Sequence, residues 1–221
     1  MKRLLAGVLI AAAVGCNSTD ALLEKGALNL ELGDYHRARA CFAAAIDRRP
    51  ASAAARIGLG KALLQQAAVQ PGDSALIVDC LTQFEAARTL MPGQEVEKLA
   101  GMAWFRRAKN LLAGRDTLAA LKALSRSIAL DPLSTGPVNL AGILYFNRGE
   151  REKALNLFKK VMAMDSNSAS GHFNAGLVYW TDSSYAAAYD CFFNAARRSP
   201  GDREILMWAA RAKQAAMRGA R

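Results

Sequence analysis

Gly58-Leu59-Gly60-Lys61 is the stretch of this chain closest to a phosphate-binding loop. Such a loop needs an earlier glycine, five positions before the one preceding the lysine, and a hydroxyl after the lysine. Its backbone N–H groups then cradle the phosphates while the hydroxyl reaches the metal. Ala55 and Ala62 stand at those two places, so the chemistry has no support. The same run lacks the third glycine of a dinucleotide fingerprint. Asp165-Ser166-Asn167 starts like a calcium loop, but Ala169 and Ser170 break the series of oxygen ligands before its turn glycine. Neither a Gly-x-Ser-x-Gly elbow nor a His-Glu-x-x-His pair occurs. The carboxylates are scattered as they would be on solvated helix faces. With only His36 and His172, a histidine-rich metal centre is excluded. Four cysteines without a Cys-x-x-Cys pair argue against a zinc site or a disulfide framework. The expectation is a protein without catalytic residues, metal or dissociable cofactor.

Composition then sets the class of fold. The 221 residues are 52% apolar, enough for a sizeable core, and only 22% charged. Ala, Leu and Arg outweigh Val, Ile and Thr, which favours helix because these side chains lose little freedom there. The net charge is +10, and seven of the basic residues lie from Arg197 onward against Asp202 and Glu204 alone. A basic end of this kind suits anionic lipid or polymer, or is simply a solvated helix face.

The first residues carry an address. Lys2 and Arg3 precede an apolar run from Leu4 to Val14, followed by Gly15 and Cys16. Eleven residues at 1.5 Å each fall well short of the ~30 Å hydrocarbon layer, so the run reads as an export signal. Its ending, Ala13-Val14-Gly15-Cys16, resembles the lipobox of bacterial lipoproteins, with Ala13 where leucine is commonest. That resemblance implies cleavage before Cys16 and a covalent lipid on its thiol and new amino terminus. Several acyl chains anchor stably where one binds marginally. The alternative is an ordinary secretory signal cut near a cysteine. Asn17 is not the aspartate linked to inner-membrane retention, so the expected location is the bacterial envelope, at the outer membrane and facing the periplasm. Removing the signal leaves a net charge of +8, and nucleic acid is a poor partner for an exported protein.

Self-similarity at a fixed period governs the remainder. Pro50, Pro92, Pro132, Ser166 and Pro200 form one column, at intervals of 42, 40, 34 and 34. Phe42, Phe84, Leu124, Phe158 and Phe192 repeat those intervals, as do Ala38, Cys80, Ala120, Ala154 and Ala188. A further column is Ala45, Ala87, Ser127, Val161 and Ala195. Upstream runs Gly26, Gly60, Ala108, Gly142 and Gly176, where the single interval of 48 absorbs insertions of eight and six residues. The first insertion surrounds Gln70 to Asp73; the second, Glu95 to Ala100, lengthens a helix at its start. A small residue on one helix admits its neighbour closely, and an aromatic fills the wedge between them. Cys41, Cys80 and Cys191 lie in packing positions, as small core residues. Proline punctuates each unit, and Ser52, Ser134, Ser168 and Asp202 are placed to cap the helix that follows.

These columns resemble the tetratricopeptide repeat over essentially the whole mature chain. Gly142, Tyr145, Gly149, Ala154 and Phe158 give one clear copy; Gly176, Tyr179, Tyr185, Ala188, Phe192 and Pro200 give another. The second and third copies are degenerate. The resemblance implies an all-α, right-handed α-solenoid of about five helical hairpins. The expected layout is a signal peptide over 1–15, a lipidated linker over 16–20 and a solenoid over 21–202. Its units run over about 19–52, 53–94, 95–134, 135–168 and 169–202. A capping helix and basic tail, 203–221, follow, with Ile205, Trp208, Ala209, Ala212 and Ala216 on one stripe.

In that family the first helix of each unit lines a concave groove for a peptide or partner helix. Carried over, the positions give Phe105 and Lys109 in the third unit, Asn139, Ile143, Phe146 and Asn147 in the fourth, and Phe173, Asn174 and Trp180 in the fifth. Asparagine amides pair with both N–H and C=O of an extended peptide, and aromatic anchors add area at low entropic cost. Packing between repeats is the competing role for Phe173 and Trp180. Leu23, Ile57 and Phe105 stand where the charges of the carboxylate-clamp subfamily would begin, so a largely apolar or neutral segment is the expected ligand. The function implied is a membrane-anchored adaptor binding envelope proteins or peptides, similar to type IV pilotins or other assembly lipoproteins. The alternative is a tether touching anionic lipid or cell-wall polymer through the basic end.

Overall fold

Serine or aspartate precedes most of the helices, and at several of them the side-chain oxygen accepts from backbone N–H groups that the first turn leaves unpaired. The expected cap Ser134 makes no such bond. A computed structural model describes residues 18–70 and 73–219. The expected signal peptide and Cys16 lie outside these residues. Among the described residues there are eleven helices and no strand. They are α1 (Thr19–Glu31), α2 (Tyr35–Arg48), α3 (Ala53–Val69), α4 (Ser74–Leu90), α5 (Gln94–Ala113), α6 (Thr117–Leu130), α7 (Thr135–Asn147), α8 (Arg151–Met164), α9 (Ala169–Thr181), α10 (Tyr185–Arg198) and α11 (Arg203–Gly219). Ser18, Asp34, Ser52, Asp73, Asp116 and Ser168 each accept a backbone N–H from the helix they precede. At 20 residues α5 is the longest helix, and the residues inserted after Pro92 form its first turns.

The helices fall into two compact units, α1 to α6 and α7 to α11, divided between residues 131 and 132. The first unit stacks three hairpins, α1/α2, α3/α4 and α5/α6, with α1 against α3 and α3 against α5. The second stacks α7/α8 and α9/α10, with α7 against α9 and α11 closing the end against α10. Each unit is a short α-solenoid.

One turn recurs inside four of the five hairpins. Gly33, Arg115, Gly149 and Ser183 all have positive φ, at 75°, 62°, 79° and 56°. In each case the next residue's N–H reaches back five residues: Asp34 to Asn29, Asp116 to Leu111, Glu150 to Tyr145, Ser184 to Tyr179, all at 2.9 Å. The left-handed residue's own N–H bonds three residues back, which completes a Schellman closure. Asp34 and Asp116 close one helix with their N–H and cap the next with their carboxylate. The second hairpin, with the insertion around residues 70–73, has no positive-φ residue among its described residues.

Phe42, Phe84, Phe158 and Phe192 are buried, each at the centre of a hairpin. A methyl group added at Gly26, Gly60, Gly142 or Gly176 would sit only 2.5–2.8 Å from the ring carbons of the phenylalanine in the same hairpin. The third hairpin reverses both partners: Ala108 replaces the glycine, Leu124 replaces the ring, and both are fully buried. Among the described residues, the polar groups that enter the core have partners. Ser127 Oγ donates to the Gly101 carbonyl at 2.7 Å, and the Cys80 thiol to the Gly60 carbonyl at 3.3 Å. Ile205, Ala209 and Ala212 bury the inner stripe of α11.

Candidate functional site

The first helices of the second unit, α7 and α9, bring two asparagines together. Asn174 Nδ2 donates to Asn139 Oδ1 at 2.9 Å, with both side chains half-buried. An asparagine offers two donors and two acceptor sites. The bond therefore leaves the Asn139 amide N–H groups and the Asn174 carbonyl without another protein partner among the described residues. Those are the two complements a peptide backbone requires.

Around this pair the surface is apolar. Ile143 and Phe146, one and two turns farther along α7, are half-buried against the cluster of Ala154, Phe158, Ala175 and Val178. Asn147 is exposed at the carboxyl end of α7. Phe173 packs on Phe192 with ring centroids 5.5 Å apart. Trp180 lies edge-on to Tyr185 at 5.1 Å and to Trp208 at 5.4 Å. Phe173 and Trp180 are thus committed in part to packing within the unit, and each remains half-exposed. The His172 imidazole on α9 is held below its usual range by burial first and by Arg198 second.

Phe105 and Lys109 belong to the first unit, on α5. The Lys109 ammonium stands 4.4 Å from the centre of the Phe105 ring, a cation–π contact between neighbours one turn apart. Sequence reasoning named no ligand-binding residues in the first two hairpins, yet a cavity of about 400 Å³ lies there between α1 and α3. Leu23, Ala27, Leu30, Ile57 and Met91 supply its apolar lining, with Lys61 at its edge bonded to Glu95 at 3.1 Å. The signal was present: Leu23, Ala27 and Leu30 recur at helical spacing on a stripe beside the core position Gly26.

Stacked hairpins with a glycine of the first helix under a ring of the second define a helical-repeat scaffold of the kind suited to protein–protein interaction. The chain belongs to the tetratricopeptide-repeat family, whose repeat model matches residues 23–70 and 139–203, just over half of the sequence. The unmatched stretch between them begins within the insertion around residues 70–73 and contains the Ala108/Leu124 exchange. No curated protein sequence matches the chain. Among solved structures it is similar to YrrB, described as a tetratricopeptide-repeat protein with an unusual peptide-binding site. That likeness is 21% identity and a TM-score of 0.59 over 93% of this chain and 97% of that one. MamA of Desulfovibrio magneticus is 17% identical, with a TM-score of 0.57 over 84% of this chain and 97% of that one. PilF of Pseudomonas aeruginosa is 16% identical, with a TM-score of 0.56 over 89% and 83%. At these identities the likeness is one of fold.

Proposed function

We propose that this protein is an exported, lipid-anchored adaptor of the bacterial envelope that holds an extended segment of a partner protein on its first helices and performs no chemistry. The observation that carries the reading is the Asn139–Asn174 pair, which fixes a backbone-like donor and acceptor beside Ile143 and Phe146. An extended peptide laid across α7 and α9 exchanges main-chain hydrogen bonds with the two amides and buries apolar side chains beside them. The peptide-binding site described for YrrB supports the same use of the fold. The charged head, short apolar run and Ala13-Val14-Gly15-Cys16 ending support a lipid on Cys16 and an outer-membrane, periplasm-facing address. Anchored there, the adaptor serves the assembly of an outer-membrane complex, in the manner of a pilotin.

Capture of partners from solubilised envelope by the mature protein tests the binding half. Asn139→Ala/Asn174→Ala is expected to lose partners that the unaltered protein retains; recovery of the same set by both would remove the groove from the account. Cys16→Ser tests the anchor, and is expected to move the protein from the membrane to the soluble fraction.

A further inference from the structure

A second recess lies where α11 closes the second unit. Trp180 at the end of α9, Tyr185 at the start of α10, and Arg211, Gln214, Ala215 and Arg218 of α11 line an open recess of about 440 Å³, within the size range of ligand pockets. Arg211 and Arg218 are seven residues apart, two helical turns, so they project from the same side of α11 about 10 Å apart. The Arg211 guanidinium stands 5.6 Å from the centre of the Trp208 ring, which in turn packs against Trp180. Both arginines are exposed, and among the described residues neither has an ion pair or hydrogen bond. The lining contains no carboxylate. Asp182, two residues after Trp180, is already engaged by Arg151 at 3.4 Å. Two cations without an ion-pair partner, lining a recess beside Trp180 and Tyr185 with no acid in its lining, are complementary to an anion that also has apolar surface.

From this geometry we infer that the recess binds the acidic part of a peptide: two carboxylates paired to Arg211 and Arg218, with an apolar side chain against Trp180 and Tyr185. Carboxylates two residues apart lie on one face of an extended segment, roughly 7 Å from one another, within reach of two long, flexible arginine side chains rooted about 10 Å apart. A peptide fits better than a lipid surface, because the aromatic faces are recessed between three helices and the inner stripe of α11 is already buried. The inference goes beyond the groove reading and is argued from the recess's own lining, with α11 following α9 as the next helix in the first-helix position. It adds an acidic requirement to a ligand that the sequence alone makes neutral.

The test is titration calorimetry of the mature full chain carrying Cys16→Ser, at low and physiological salt. The probes are a blocked octapeptide alternating glutamate and leucine and its glutamine counterpart. The glutamate peptide is expected to bind at least tenfold more tightly than the glutamine one. Arg211→Ala/Arg218→Ala should abolish that preference, while the charge-matched Arg197→Ala/Arg203→Ala preserves it. Equal binding of both peptides, or equal loss in both arginine pairs, would overturn the inference. So would arginine-211/218-dependent binding of phosphatidylglycerol vesicles with no binding of the peptide. Asn139→Ala/Asn174→Ala separates the two ideas. If it weakens both peptides equally and the arginine pair has no effect, the groove stands and the acidic recess falls. If the arginine pair alone matters, the recess stands without the groove.

Discussion

The side-chain amide of Asn174 donates to the side-chain carbonyl of Asn139 at 2.9 Å, joining two first helices through polar groups on an otherwise apolar face. Removing either partner leaves the other half-buried and unpaired. Asn139→Ala and Asn174→Ala should each lower stability by about 0.5–1.5 kcal/mol, and the double variant by less than the sum. Urea denaturation of the four proteins measures the coupling. Strict additivity would mean that the two amides do not act as a pair.

Packing inside a hairpin gives a sharper prediction. A methyl group at Gly142 would lie 2.5 Å from Phe158 Cε1, so Gly142→Ala should destabilise by about 1–3 kcal/mol. The third hairpin, with Ala108 and Leu124, already shows the compensated form. Adding Phe158→Leu to Gly142→Ala should therefore recover part of the loss, whereas Phe158→Leu alone leaves a gap and destabilises. Thermal melts of the cycle check this.

This exchange also shows how far the sequence could be read. The columns of small and aromatic residues gave the hairpins, because close helix approach demands those sizes wherever the chain adopts it. Leu124 departs from the aromatic column only when considered alone; with Ala108 in place of the glycine, the two keep the wedge filled. The bond between Asn139 and Asn174 was not legible, since it depends on rotamers across residues 35 apart. Nor is the recess at Arg211 and Arg218 legible, because only the docking of α11 brings both arginines into one lining with Trp180 and Tyr185.

The repeated turn predicts a gain in stability. Arg115 and Ser183 hold the left-handed conformation that glycine adopts at the equivalent Gly33 and Gly149. A side chain at positive φ costs roughly 1–2 kcal/mol, part of which glycine returns through its greater freedom in the unfolded chain. Arg115→Gly should raise stability by up to about 1 kcal/mol, and Gly149→Ala should lower it by a similar amount. Urea midpoints decide the signs.

Burial pushes the Cys80 thiol from the ordinary 9.0 up to about 12. Folding therefore favours its neutral form. That contribution is complete below about pH 9, where the unfolded thiol is also protonated. It declines from there to about 12, as the unfolded chain ionises and the native one does not. Cys80→Ala should flatten the alkaline fall in stability, measured by urea unfolding between pH 8 and 10. Iodoacetamide at pH 8 should leave Cys80 of the folded protein unmodified and label it on unfolding.

Placing a photo-crosslinking amino acid at Asn147, exposed on α7, and separately at Lys160, exposed on α8, tests the adaptor reading in living cells most directly. Envelope proteins should be trapped from position 147 and not from position 160. Equal trapping from both positions, or trapping from 160 alone, would contradict a partner held on the first helices.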